Sequence, residues 1–164
     1  MNSQQLLDYI IKPTLEYMGG NYNSKNAQML LLSTAAIESK CGYYIKQIKG
    51  PALGIWQMEP ATYHDIYDNC DALKQQDFED SISKLSIDYD FVFDECNSLV
   101  INPMYACAMA RLKYSMDTEQ LPFYADIYGI YAYYKRIYNT PLGASTFEKF
   151  KAAWDECGLD EIVL

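Results

Sequence analysis

Apolar positions recur at three- and four-residue steps along most of the chain, a period that predicts helices. Leu6, Leu7, Ile10, Ile11, Leu15 and Met18 keep that spacing in the first segment. A kink is expected at Pro13, which lacks a backbone donor, and a stop at Gly19-Gly20. Asn23 or Ser24 is the candidate cap of a second helix, "KNAQMLLLSTAAIES". In it Ala27, Leu30, Leu31, Thr34, Ala35 and Glu38 recur on one side. Gly42, Gly50, Pro51, Gly54 and Pro60 then interrupt any period, so 41–60 reads as irregular or as a short β-excursion. "ATYHDIYDNC" and "FEDSISKLSIDYDFVFDECNSLV" are expected to continue as helix, although Ile87, Tyr89, Phe91 and Phe93 also alternate as a strand would. "PMYACAMARLKYSM" places Tyr105, Ala108, Met109 and Leu112 on one helical face with Pro103 at its first position. "YADIYGIYAYYKRIYN" follows, closed by the turn chemistry of "NTPLGAS". "TFEKFKAAWDECG" ends the pattern, with Thr146 as cap and Gly158 beyond the end. The expectation is five to seven helices, a mainly α class, and a single domain over 1–164, since no repeat or linker divides the chain.

Composition narrows the function classes. Half of the 164 residues are hydrophobic, the ordinary globular range, and no apolar run approaches the roughly 20 residues of a membrane span. The first residues lack a basic n-region and a small-residue cleavage site and carry Asp8 and Glu16, so the expected place of synthesis is the cytoplasm, without a secretory signal and without membrane insertion. Cys41, Cys70, Cys96, Cys107 and Cys157 form an odd, scattered set without a C-x-x-C pair, which argues against a disulfide framework and a structural zinc site and for buried or half-buried thiols. His64 is the sole histidine, and nothing in the sequence pairs it with Cys41 as a nucleophile–base couple. "DYDFVFDEC" lacks the glycine and spacing of a calcium loop and reads as a solvated helix face or an interface. A formal net charge of −9 disfavours nucleic acid as the main ligand. Lys46, Lys49, Lys135 and Arg136 are the densest cationic positions.

Glu38 is the chemical anomaly. It shares the side of the apolar stripe and lies near a helix C-terminus, where the negative end of the dipole disfavours a carboxylate. Surrounded by Ile37, the tyrosines of "GYY" and Trp56, its carboxyl would lose hydration and hold its proton, as a general acid for a poor leaving group must. Gln57 offers a donor and an acceptor to an N-acetyl amide or a sugar hydroxyl. Sixteen tyrosines supply flat faces with polar tips on which sugar rings stack. The ordinary readings run the other way: a helix-terminal Glu is more often solvated or ion-paired, and Tyr-rich helices are more often core.

The spacing of these residues resembles a known signature. Glu38-Ser39, followed after a short irregular stretch by "GIWQMEPAT", resembles the catalytic "ES" and G-L-M-Q-[IV]-x-P-x-T of the lytic transglycosylase and goose-type lysozyme superfamily. Gly54, Ile55, Trp56, Gln57, Met58, Pro60 and Thr62 fall on its positions in order, with Trp56 in place of the usual Met and Met58 in place of the usual aliphatic. "NPMYACAMARLKY" is similar to the family's Asn-headed helix, and "YAYYKRIYNTPLGA" to its late Tyr-Asn motif and to phage-encoded lysozyme-like proteins. The resemblance spans roughly residues 5–146 and is strongest over 38–62. It implies a lysozyme-like α+β fold with a small irregular or β excursion after the catalytic helix. It further implies Glu38 as catalytic acid/base, a cleft lined or braced by Ser39, Trp56, Gln57 and Thr62, and a late tyrosine, Tyr133 or Tyr138 beside Asn139, touching the sugar or Glu38.

The implied activity is cleavage of the MurNAc-GlcNAc β-1,4 bond of peptidoglycan without metal or cofactor. Ordinary glycosidases need two carboxylates, whereas a lytic transglycosylase needs one. Glu38 would protonate the leaving oxygen, then take the proton of the muramic C6 hydroxyl as a 1,6-anhydro ring closes. Glu59, at the motif's variable position, reads as an exposed turn residue rather than a second acid; Asp65 or Asp68 positioning a water would give hydrolysis instead. The expected partner is the glycan strand of the bacterial wall, reached aboard a virion or tail assembly or through a membrane lesion. Two other readings stay open: a virion structural or glycan-binding protein without turnover on the same scaffold, and a chitinase-like glycosidase.

Overall fold

Asn2 caps the first helix, α1 (Ser3–Leu6), by accepting the Gln5 N–H at 3.1 Å. A π segment, Leu7–Ile11, joins it to α2 (Lys12–Met18), and there the Lys12 N–H reaches back to the Leu7 carbonyl. Pro13, in the first turn of α2, has no N–H to give, and its ring crowds the carbonyl four residues back. The irregularity expected at Pro13 therefore takes the form of a wider turn just before it. Gly19, at φ +68°, ends the run as anticipated. This computed structural model describes residues 1–86, 95–139 and 143–164.

Ser24 caps α3 (Lys25–Ser39) through the Ala27 N–H at 3.1 Å. Every residue from Ala27 to Ala36 is buried, Gln28, Ser33 and Thr34 among them, so α3 is the central helix, covered all round rather than on one stripe. α2 packs on α7 (Pro103–Ser115), and α3 packs on α7, α8 (Ile127–Tyr134) and α9 (Phe147–Glu156). Between α3 and α7 come α4 (Pro60–Asn69), α5 (Gln76–Ser83) and α6 (Ser98–Ile101). Asn102 heads α7 by accepting the Met104 and Tyr105 N–H groups, Asp126 heads α8, and Thr146 heads α9. A second π segment, Lys135–Asn139, continues α8. The alternating Ile87, Tyr89, Phe91 and Phe93, and most of "DYDFVFDEC", lie outside the described residues.

The class is mainly α. Among the described residues the β-excursion after α3 reduces to two isolated antiparallel bridges, Lys46 with Leu53 and Leu53 with Met58. They fold the 41–59 loop back beneath the end of α3. Gly54 makes this possible: at φ +74°, a Cβ there would meet the Leu99 carbonyl oxygen at 2.3 Å. No helix among the described residues is long and apolar enough to cross a membrane.

Candidate active site

α3 stops in a left-handed turn at Lys40 (φ +52°), with the Cys41 N–H bonded back to the Ala35 carbonyl. That stop leaves Glu38 in the last turn, half-buried, on the wall of a cleft of about 590 Å³. Ile37 and Glu38 line it from α3, Gln57, Met58, Glu59 and Thr62 from the loop and the start of α4, and Tyr134, Tyr138 and Asn139 from α8 and its π extension. Ser145 lines it from the approach to α9 and Lys149 from the first turn of that helix. Tyr134 Oη donates to Glu38 Oε1 at 2.6 Å.

Burial raises the Glu38 carboxyl to about 7; the Tyr134 hydrogen bond opposes the rise and the Glu59 charge adds to it. Burial, then the Glu38 charge, holds both Tyr134 and Tyr138 above the ordinary phenol range. Both are therefore neutral hydrogen-bond donors at neutral pH. Their rings stack 6.3 Å apart, and Tyr138 stacks in turn on Tyr114 at 5.3 Å.

The expected residues divide into those that face the cleft and those that build it. Gln57 faces it from a left-handed backbone position (φ +46°), its Nε2 donating to the Gly54 carbonyl at 2.7 Å. A non-glycine residue there is strained, and such strain gathers at functional sites. Thr62 and Asn139 face the cleft as well, and the Asn139 Oδ1 accepts from Lys135 at 2.8 Å. Tyr138 lines it while its hydroxyl donates to the Trp56 carbonyl at 2.9 Å.

Three residues expected to touch substrate do not line this cleft. Trp56 is only 1% exposed and points into the core, its Nε1 donating to the Leu31 carbonyl at 2.9 Å. Its bulk therefore packs into the core and takes no space in the cleft. Ser39 is buried, accepting the Gly42 N–H at 2.8 Å and donating to the Ala35 carbonyl, so it shapes the turn after α3. Tyr133 is buried against Tyr114 with the Arg136 guanidinium over its ring.

The tyrosine that contacts Glu38 is Tyr134, which the sequence reading passed over. A signal for it existed, since Tyr134 precedes Tyr138 by one helical turn. Ser145 and Lys149 were also missed.

Glu59 is exposed, as expected of a turn residue, yet it lines the cleft. Asp65 is committed elsewhere, to Lys113 at 3.0 Å and Asn69 at 2.9 Å, and this pairing holds its carboxyl below the usual range. Asp68 is exposed and outside the cleft. His64 packs on the Tyr63 ring and Cys41 lies against Ser3, so neither enters the cleft. Among the described residues no group of three His, Cys, Asp or Glu side chains is placed to hold a metal ion. A second recess, of about 180 Å³, shares Glu38, Gln47 and Gln57 with the cleft and adds Tyr44 and Ile48. Glu38 and Gln57 thus stand between two concave surfaces.

No protein-family model matches the chain, and comparison with curated proteins and with solved structures likewise finds no match.

Proposed function

We propose that this protein cleaves the β-1,4 bond between MurNAc and GlcNAc in peptidoglycan, with Glu38 as the acid that protonates the leaving oxygen. The carrying observation is the half-buried Glu38 carboxyl on the cleft wall, raised to about 7 and held by Tyr134 at 2.6 Å. A group of that acidity is protonated often enough to act as an acid at neutral pH and basic enough to recover a proton afterwards. The motif resemblance of Glu38-Ser39 and 54–62 supports the same reading. So does the order of elements, a helix ending in Glu38, a bridged loop carrying Gln57, then α4, which fits a lysozyme-like scaffold.

The favoured course is transglycosylation. Glu38 gives its proton to the glycosidic oxygen as the C1–O bond breaks. The resulting carboxylate takes the proton of the C6 hydroxyl of the same muramic residue, whose oxygen closes on C1. The 1,6-anhydro product needs no second carboxylate. Glu59 is the other acid among the described residues of the cleft, and its solvent exposure suits raising the Glu38 pKa more than holding one water in place. Tyr134 keeps the Glu38 carboxyl aimed, and Gln57 offers its amide to an acetamido group. The strongly negative chain suits delivery to the anionic wall by a larger assembly, such as a virion, more than free diffusion.

The test is mass spectrometry of purified sacculi digested by the wild type and by Glu38→Gln. The wild type should release muropeptides ending in anhydro-muramic acid, and Glu38→Gln should lower the rate by roughly 10²–10⁴-fold while keeping the fold. Reducing-end products would replace transglycosylation with hydrolysis. No release by either protein would leave a glycan-binding or structural role.

A further inference from the structure

Cys41 and Cys157 are far apart in sequence, yet both lie against Ser3, at the neighbouring ends of α3 and α9. Ser3 brackets the pair, its Oγ donating to the Cys157 carbonyl at 2.6 Å and lying 3.5 Å from Cys41 Sγ. Cys41 follows the last turn of α3 and Cys157 follows the last turn of α9, and the Lys40–Glu156 ion pair, at 2.7 Å, bridges the same two ends. The two sulfurs differ in access. Cys41 is buried, whereas Cys157 is half-buried and lines a surface recess of about 370 Å³ with Ser3, Lys40 and Tyr43. One thiol can meet a small molecule from solvent, and the other is shielded from it.

We propose that Cys41 and Cys157 form a reversible disulfide when the protein meets a small-molecule disulfide, tying the end of the Glu38 helix to the end of α9. The Cys157 thiolate attacks one sulfur of the oxidant, whose S–S bond breaks and releases one small thiol. The Cys41 thiolate then attacks Cys157 Sγ, expelling the second small thiol as the protein S–S bond forms. The two thiol protons leave with the two released thiols, the oxidant is reduced by two electrons, and the cysteine pair is oxidised. Both cysteines lie against the one Ser3 side chain, and the bridge requires their sulfurs to close to about 2.05 Å. Burial, aided by the adjacent Cys41, pushes the Cys157 thiol up to about 12, so exchange at neutral pH is slow. Cys70, Cys96 and Cys107 are buried and do not line the recess. The bridge joins two elements that both line the cleft, since α9 contributes Lys149.

The experiment equilibrates the purified full chain with oxidised and reduced glutathione at rising ratios. An acid quench, intact-mass measurement and peptide mapping follow. The expected result is loss of two hydrogens per chain, one cross-linked peptide joining Cys41 to Cys157, and a melting temperature about 5–10 °C higher. Cys157→Ser should show neither the mass loss nor the shift. A glutathione adduct that persists on Cys157 would overturn the proposal. So would a bridge between other cysteines, or a chain still carrying all its thiols in the fully oxidised buffer. Should Cys157→Ser fail to fold, mapping of the wild type alone decides. None of these readouts depends on glycan cleavage.

Discussion

The acidity of Glu38 is set by burial and by two side chains pulling in opposite directions, each of which can be removed separately. Tyr134 donates to the ionised carboxylate and so favours it, while the negative Glu59 disfavours it. Tyr134→Phe should therefore raise the Glu38 pKa further and move the alkaline limb of the pH–rate profile upward, with a lower maximum because the carboxyl is less well aimed. Glu59→Gln should move the same limb downward and retain the anhydro product. Opposite shifts in kcat/KM profiles on one substrate support this arrangement, and a common shift or none contradicts it. Glu38 itself was legible in the sequence, because an ionisable residue on the apolar side of a helix end is a local anomaly. Its partner was harder to read: Tyr133 and Tyr134 are adjacent, and helix phase decides which one faces Glu38. Trp56 misled for a related reason. The loop turns at Gly54 and Gln57, both left-handed, and the turn sends the indole into the core.

At the scale of elements, the cleft depends on how α3 ends and how the 41–59 loop returns beneath it. Gly54 is where the loop presses on the backbone of another element, since a Cβ there would overlap the Leu99 carbonyl oxygen at 2.3 Å. Gly54→Ala should cost about 2–4 kcal/mol in denaturant unfolding, combining steric overlap with left-handed strain. Gly19→Ala also sits at positive φ but has nothing within 4 Å, and should cost only about 1–2 kcal/mol. Equal costs would mean that the close approach at Gly54 does not hold the loop. Caps were the most legible features here. Ser24, Pro103, Thr146 and Gly158 all take their expected places because capping is written within a few residues. The π segments were not legible beyond the irregularity at Pro13, and the predicted β-excursion keeps only its two bridges. The nearness of Cys41 and Cys157 was hidden by a scattered spacing that pointed away from any pairing, because α3 and α9 bring their ends together only in three dimensions.

For the molecule as a whole, charge governs how it meets a polymer. A chain at −9 is repelled by an anionic wall, and salt screens repulsion between exposed charges. Raising ionic strength from about 0.01 M to 0.15 M, where the screening length falls from roughly 30 to 8 Å, should increase kcat/KM on intact sacculi several-fold. The same change should leave cleavage of short soluble glycans nearly unaltered, and a fall in activity on sacculi would argue that a local cationic contact such as Lys149 dominates binding. Acid catalysis in this cleft requires that Glu38 keep its proton near neutral pH inside the folded protein. Carbon-13 NMR of carboxyl-labelled glutamate, titrated against pH with Glu38→Gln to assign the resonance, measures it directly. A midpoint of about 7 for the resonance that Glu38→Gln abolishes is the expected result. A midpoint in the ordinary range near about 4.3 would contradict the proposed acid.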